Sequence, residues 1–356
     1  MGNIIQADFK LPIFKREYVE HDEINKGFME AFEEIEYVFS DISVQSRFGE
    51  INMKFDWSEL TFKARNALSR NYSLEDYVLG RIPDQALQEI QNHISSKNPE
   101  KDIVTIGCDI ALNNNVKQSE KNYRIATNYL DNTLIHFFLA MNLSTPGMFN
   151  CFSRELQSNI NFTIYNFSSA ELEYAWMKNI ENGWPGVKKI ALKKTYDWLL
   201  SINIGQRQIA NKSIERALYA ILHVCVNQYP SPTQIIWVSL ALEALYETPK
   251  AQINKKLINR IFLFLGVPEN NYNKFKKQIG KFYNLRSRFV HGEMDISVPF
   301  PNNVLDDSIW EHEGEVLDNV SFGLSIVIAT IQKMIINNWK SLSFSEEYTG
   351  EEMSLN

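Results

Sequence analysis

Cysteine is scarce in this chain of 356 residues. Cys108, Cys151 and Cys225 lie far apart, and they form no Cys-x-x-Cys pair and no larger cluster with histidine. This spacing excludes a zinc-finger motif and a disulfide framework. An odd number of cysteines without a pairing pattern favours a reducing compartment, so we expect a cytoplasmic protein.

Other signals are missing as well. The sequence has no glycine-rich phosphate loop, no internal repeat and no low-complexity tract, so nothing in it predicts a nucleotide or other cofactor. Its start lacks a basic region followed by an apolar run, which argues against a signal peptide. The most continuous apolar stretch, near 326–330, is far shorter than the ~20 residues of a membrane span. We therefore expect no association with a membrane.

Charge is unevenly distributed along the chain. The net charge is −7, which argues against a protein coated in nucleic acid. From Lys250 to Arg288 there are ten basic residues and one acidic residue, whereas Phe289 to Gln332 has eight acidic residues and no lysine or arginine. The basic segment would guide a polyanion. Alternatively, the two segments are solvated helix faces of opposite sign that pair with each other.

The C-terminal part of the sequence predicts a helical bundle. Apolar residues recur at helical spacing, and prolines and glycines separate the segments. The predicted helices cover 213–228, 234–246, 250–265, 271–290 and 306–339, with Thr233 as the expected N-cap of the second. The second helix is apolar nearly all round, so we expect it in the middle of the bundle. The predicted bundle spans 206–345, and a polar tail follows at 346–356.

Residues 1–205 predict an α-rich domain with a few short strands, so the whole chain is expected to be mainly α. The predicted helices are 23–39, 56–69, 83–95, 119–141 and 169–182. The predicted strands are 102–111 and 161–167. We find no catalytic or ligand-binding motif in residues 1–205, and we expect a sensing or regulatory role for this domain.

One segment of the bundle carries a candidate chemical motif. Arg286 is followed by Ser287, and His291 with Gly292 comes after three further residues. About forty residues upstream, a Leu-Glu-Ala-Leu run at 242–245 places Glu243 in an apolar helix. This combination resembles the HEPN superfamily, in particular the ApeA-like HEPN domains of bacterial defence proteins. The resemblance covers about residues 205–345 only.

The resemblance implies a metal-independent endoribonuclease that acts in antiviral defence by abortive infection. RNA is the implied substrate, and transfer RNA is one candidate. HEPN ribonucleases dimerise, so the resemblance implies a homodimer through the C-terminal bundle, with two motifs facing one groove. A phage-derived trigger or a regulatory protein would then act on the N-terminal domain.

The residue types fit RNA cleavage by the 2′-hydroxyl. His291 suits proton transfer, and Arg286 suits stabilisation of the phosphorane. The supporting candidates are Ser287, Glu243 and Tyr283, and the RNA-binding candidates are Lys277, Lys281 and Arg288; no residue is assigned to a metal. On a straight helix, Arg286 and His291 lie about 140° apart. They would share one face only if the helix ended before the histidine, unless two copies of the chain contribute to each cleft.

Each candidate also has a structural interpretation. Arg286 would bridge to Glu243, His291 would cap a helix, and Tyr283 would belong to the core. A second Arg/His pair, Arg216 and His223, lies on an apolar helix, and we interpret His223 as a hydrogen-bonded core histidine, as we do His136. Three functions therefore stay open: a ribonuclease, a catalytically silent module for RNA binding or dimerisation, and a toxin held by an antitoxin.

Overall fold

The structure is a computed structural model of the chain. It describes residues 3–12, 22–60, 103–112, 120–150, 153–156, 167–204, 208–226, 231–248, 253–267, 269–298 and 305–345. Within these ranges the protein is mainly helical and has a small N-terminal sheet, which confirms the predicted class. The chain divides into two compact units, Met1–Ala170 with Lys189–Gly205 and Glu171–Lys188 with Gln206–Asn356. The segment 171–188 thus belongs to the C-terminal unit.

The first unit contains an antiparallel sheet with the strand order β2-β3-β4-β1-β5. The strands are β1 (Asn3–Pro12), β2 (Asp41–Ser46), β3 (Gly49–Asp56), β4 (Ile103–Leu112) and β5 (Ser153–Leu156). Alternate residues of β3 and β4, among them Met53, Phe55, Ile106 and Ile110, are buried. This alternation gives the sheet one apolar face and one polar face.

Three helices of the first unit contribute to the same core: α1 (Asp22–Phe39), α2 (Glu120–Ser144) and α4 (Leu192–Ser201). Their aromatic side chains meet near the end of β3. The ring centroid of Phe137 lies 4.1 Å from that of Phe39 and 5.0 Å from that of Phe55. The rings of Tyr196 and Phe39 meet edge to face, with centroids 4.9 Å apart. Offset aromatic contacts of this kind stabilise a core beyond the area they bury.

The sequence anticipated part of this unit. The predicted strand 102–111 is β4, and the predicted helices 23–39 and 119–141 are α1 and α2. Strands β1 to β3, strand β5 and helix α4 were missed. The predicted helix 56–69 begins two residues later, because Asp56 ends β3; residues 58–60 are helical, and the remainder from 61 lies outside the described residues. The predicted helix 83–95 and all of the predicted strand 161–167 except Phe167 also lie outside them.

The second unit is built from helices. They are α3 (Ala170–Asn182), α5 (Ser213–Val226), α6 (Pro232–Leu245), α7 (Ile253–Leu265), α8 (Tyr272–His291) and α9 (Ser308–Ile336). The central helix is α9, in which nearly every residue from Asn319 to Ile335 is buried. Helix α6 packs against α5, α8 and α9, as expected from its apolar sequence, although Leu240 on its outer side is 40% exposed. Composition alone does not reveal which apolar helix the others surround.

Helices α6, α8 and α9 approach closely at Gly323 of α9. A Cβ atom at this position would lie 2.8 Å from Val238 Cγ1 of α6 and 2.9 Å from Phe282 Cε2 of α8. Neither side chain has room to accept it without movement, because protein cores are close-packed. The absence of a side chain at Gly323 therefore sets the spacing of the two helices that carry Glu243 and Arg286.

A buried glutamine fixes the start of α6. The Gln234 side chain is fully buried; its Oε1 accepts from Ser231 N at 3.1 Å, and its Nε2 donates to Glu171 Oε1 at 3.0 Å and to Val224 O at 3.2 Å. Ser231 and Gln234 form a capping box. The N-cap is therefore Ser231, and our assignment of Thr233 was wrong by two residues.

Helix α9 is long and apolar enough to cross a membrane by length and composition. However, 89% of its most apolar window is buried inside the protein. This burial is typical of the core helix of a soluble protein. We expected a much shorter apolar segment here, because isolated polar residues such as Ser325 and Thr330 interrupt it; both hydroxyls donate to carbonyls of the preceding turn.

Candidate functional site

The candidate motif lies at the C-terminal end of α8. Gly292 adopts the left-handed conformation, with φ of 73°, directly after the last helical residue, His291. Gly292 N donates to Phe289 O at 3.3 Å, and Glu293 N donates to Arg288 O at 2.8 Å. These two bonds form a Schellman motif, which glycine favours because it has no Cβ. The backbone thus caps the helix without using the imidazole of His291.

The helix continues through the histidine, so the expectation that it ends before His291 was wrong. Arg286 and His291 are consequently about 140° apart around one continuous helix. Arg286 is half-buried on the side that carries the buried Phe282 and Tyr283, whereas the His291 side chain is exposed. Among the described residues, the imidazole makes no hydrogen bond. A single chain therefore presents the two motif residues on different sides of α8.

The predicted RNA-binding residues lie on the same side of α8 as His291. At 100° per residue, Lys277, Lys281 and Arg288 lie within about 80° of His291 around the helix axis. Lys277 and Lys281 are exposed, and Arg288 is half-buried. The solvent side of α8 therefore carries three basic groups and an imidazole, a composition that suits contact with a phosphate backbone.

On the other side of α8, Arg286 faces Glu243 of α6. Arg286 Nη2 lies 3.9 Å from Glu243 Oε1, and the two side chains are 33% and 27% exposed. This distance allows electrostatic attraction but is too long for a hydrogen bond. We predicted from the sequence that Glu243 pairs with Arg286. The two side chains lie close together because α6 and α8 pack against each other.

Tyr283 completes a cluster with these two residues. Its side chain is only 8% exposed, and its hydroxyl has no hydrogen-bond partner within the described ranges. Glu243 Oε1 and Arg286 Nε are likewise buried without one. Burial raises the pKa of Glu243, and the positive charge of Arg286 opposes that shift. Burial also raises the pKa of Tyr283, with a further contribution from the charge of Glu243.

Ser287 lies one turn before His291 and is half-buried. Such spacing would let its hydroxyl orient the imidazole. No hydrogen bond joins the two side chains in the part of the chain that the structure describes. Its place in the site therefore rests on the sequence pattern alone.

The second Arg/His pair lies on α5. His223 is exposed, and its ring stacks on Trp237 of α6 with centroids 4.0 Å apart and an angle of 8° between the planes. Our interpretation of His223 as a core histidine was therefore wrong. The corresponding interpretation of His136 is confirmed, because its Nε2 bonds Ile204 O at 2.7 Å. Burial lowers the pKa of His136 and favours the neutral ring.

Arg260 of α7 was not among the residues predicted from the sequence. Arg260 Nη1 donates to Tyr246 O at 2.7 Å and to Glu247 O at 2.6 Å. These bonds satisfy carbonyls at the C-terminal end of α6, where a positive charge is favourable. Arg260 therefore supports the end of the helix that holds Glu243. No local pattern signals this role, since it depends on the packing of α7 beside α6.

Within the described ranges, no group of three or more His, Cys, Asp or Glu side chains has an arrangement that could hold a metal ion. Cys108 and Cys225 are buried free thiols. No family model, no curated protein and no solved structure matches this chain.

Proposed function

We propose that this protein is a metal-independent endoribonuclease of the HEPN type. The observation that carries the proposal is the arrangement on α8. Among the described residues, the buried Arg286 Nε has no hydrogen-bond partner and lies beside Tyr283 and Glu243, and an exposed His291 ends the same helix five residues later. This arrangement provides a fixed positive charge and a titratable imidazole, the two groups that metal-free cleavage of RNA requires.

In the proposed reaction, the 2′-hydroxyl of RNA attacks the adjacent phosphorus and the bond to the 5′-oxygen breaks. His291 serves as acid or base, and Arg286 stabilises the charge that develops on the phosphorane. Because the two residues lie on different sides of one helix, we propose that two copies of the chain contribute to each cleft. One His291 then removes the proton of the 2′-hydroxyl, and its symmetry mate protonates the leaving oxygen.

The remaining candidates have supporting roles in this proposal. Lys277, Lys281 and Arg288 bind the phosphate backbone on the solvent side of α8, and RNA, with transfer RNA as one candidate, is the substrate. Residues 1–205 act as the sensing or regulatory part. A phage-derived trigger or a regulatory protein would act there, as expected for a cytoplasmic protein of antiviral defence by abortive infection.

One observation favours a second candidate function. The separation of Arg286 and His291 around α8, together with the pairing of Arg286 with Glu243, suits a catalytically silent HEPN-like module that binds RNA or dimerises. A toxin held by an antitoxin shares the proposed chemistry and differs only in its regulator. The presence or absence of cleavage by the purified protein separates the first candidate from the second.

The deciding experiment incubates the purified full chain with total RNA and with transfer RNA, in the presence and absence of EDTA. We expect cleavage under both conditions, with a 2′,3′-cyclic phosphate or 3′-phosphate on one product and a 5′-hydroxyl on the other. Loss of cleavage on chelation, restored by magnesium, contradicts the mechanism. Binding of RNA without cleavage supports the silent module.

A further inference from the structure

In the part of the chain that the structure describes, three buried polar atoms without a hydrogen-bond partner belong to one cluster between α6 and α8. They are Tyr283 Oη, Arg286 Nε and Glu243 Oε1. Buried polar groups in proteins are nearly always hydrogen-bonded, because an unsatisfied one costs free energy. Three such atoms in one cluster therefore indicate a position where a further polar group binds.

The donors in this cluster select the chemistry of that group. The Nε–H of Arg286 and the hydroxyl of Tyr283 both donate hydrogen bonds, so their common partner is an acceptor such as a phosphate oxygen. Glu243 has two forms with opposite effects. As a carboxylate it attracts Arg286 and repels an anion, whereas as a carboxylic acid it is a third donor.

We propose that Glu243 is a proton-dependent gate for a phosphate-binding site formed with Tyr283 and Arg286. When Glu243 is ionised, it holds Arg286 and keeps the anion out. When it takes up one proton from solution, it releases Arg286 and donates a hydrogen bond to a phosphate oxygen. The identity of the anion as a phosphate of RNA rests on the proposed function, but the linkage between a proton and an anion does not.

The surroundings of Glu243 favour this behaviour. Burial raises its pKa, and Arg286 acts in the opposite direction, so binding of an anion that neutralises Arg286 would favour the protonated acid. The ionisable groups that act on Glu243 come from α8: Arg286, and Tyr283, whose phenol interacts with the same carboxylate. In the described residues, α5, α7 and α9, which also lie against α6, contribute no ionisable group that shifts the pKa of Glu243; Arg260 of α7 binds the carbonyls at the end of α6 instead.

The test measures binding of a fluorescent 2′-O-methyl RNA oligonucleotide, which lacks the attacking hydroxyl, by anisotropy between pH 5.5 and 8.5 at constant ionic strength. His291→Ala protein is the parent, so that the imidazole does not titrate. Above the pKa of Glu243 we expect the affinity of the parent to fall about tenfold per pH unit, as linkage to one proton requires. Adding Glu243→Gln should give pH-independent affinity equal to that of the parent at low pH.

Glu247→Gln is the matched control, because Glu247 is an exposed glutamate one turn further along the chain. It should keep the pH dependence of the parent. An unchanged pH dependence in Glu243→Gln overturns the gate, and so does weaker binding at every pH, which would leave Glu243 as a positioning residue only.

A second measurement covers the case in which Glu243→Gln does not fold. Calorimetric titration of the parent in two buffers with different ionisation enthalpies counts the protons taken up on binding. Uptake that approaches one proton in the pH range where the affinity falls supports the gate, and no uptake in that range refutes it. Cleavage of ordinary RNA is assayed separately with the wild-type protein, so a protein that binds with proton uptake but never cuts RNA would refute the nuclease and retain the gate.

Discussion

Replacement of Arg286 by alanine separates a chemical role of this residue from a structural one. Two unit charges 3.9 Å apart attract by about 4 kcal/mol at an effective dielectric constant of ~20. Arg286 and Glu243 are 33% and 27% exposed and form no hydrogen bond, so desolvation and screening offset most of that attraction. Exposed ion pairs typically contribute ~0.2–1 kcal/mol. We therefore expect Arg286→Ala to lower the free energy of unfolding by about 1 kcal/mol.

The effect on cleavage should be much larger. Loss of one group that stabilises transition-state charge commonly lowers kcat by ~10²–10³-fold. Arg286→Lys should fail as well, since an ammonium cannot reproduce the fork of a guanidinium. The matched control is Arg288→Ala, on the other side of the same helix, which should raise KM in a salt-dependent manner and leave kcat nearly unchanged. The assays are urea unfolding and initial rates of RNA cleavage.

Two results would refute the reasoning about Arg286. A loss of 3 kcal/mol or more in stability is the cost of breaking a buried ion pair, and it would mean that the residue is structural. Normal cleavage by a folded Arg286→Ala protein would place the active site elsewhere in the chain.

Four further outcomes are expected. Burial raises the pKa of Glu171 in the folded protein. Its contribution to the free energy of unfolding is therefore complete below the unfolded pKa of ~4.3 and is lost as pH rises through the folded pKa. Glu171→Gln should remove that loss in urea unfolding at pH 4.5, 6 and 8. Gly323→Ala should lower the melting temperature, because overpacking costs ~1–3 kcal/mol and exceeds the ~1 kcal/mol by which alanine favours a helix over glycine. Gly314→Ala is the control and should not lower it, because the space around a Cβ atom at Gly314 is open. Ser231→Ala should cost ~0.5–2 kcal/mol in urea unfolding, because it removes the N-cap of α6; an unchanged midpoint would mean that Gln234 suffices. Light scattering should show a homodimer, and a monomer that cuts RNA at full rate at nanomolar concentration would exclude a site shared by two copies.

The sequence located most helices of the C-terminal unit because their signals are local. The 3.6-residue period of apolar side chains and the prolines and glycines between them predicted α5 to α9 to within a few residues, as α8 shows: predicted at 271–290, it runs over Tyr272–His291. The one-residue shift at its end matters, because it keeps His291 on the helix and away from Arg286. Helix ends depend on capping bonds, here those of Gly292 and Glu293, which periodicity does not contain.

The strand order of the sheet and the position of each helix in the bundle could not be predicted from the sequence. Strand order depends on contacts between residues that are distant in the chain, such as Ile51 with Leu112, and no local pattern specifies them. The apolar sequence of α6 predicted a central helix, and α6 does pack against α5, α8 and α9, but α9 is the more deeply buried and Leu240 of α6 stays exposed. The apolar face of one helix finds its partner face only when all the helices of the bundle pack together.

The candidate site shows the same division. The sequence by itself determined that an arginine, a histidine and a helix-ending glycine occur in one short segment, and that Glu243 lies in an apolar helix where a carboxylate needs a partner. Only the tertiary structure decided that Glu243 and Arg286 lie 3.9 Å apart, with Tyr283 buried beside them and His291 on the other side of the helix. The reason is that a side chain's direction follows from the local helix, whereas its neighbours follow from the packing of helices that are far apart in sequence.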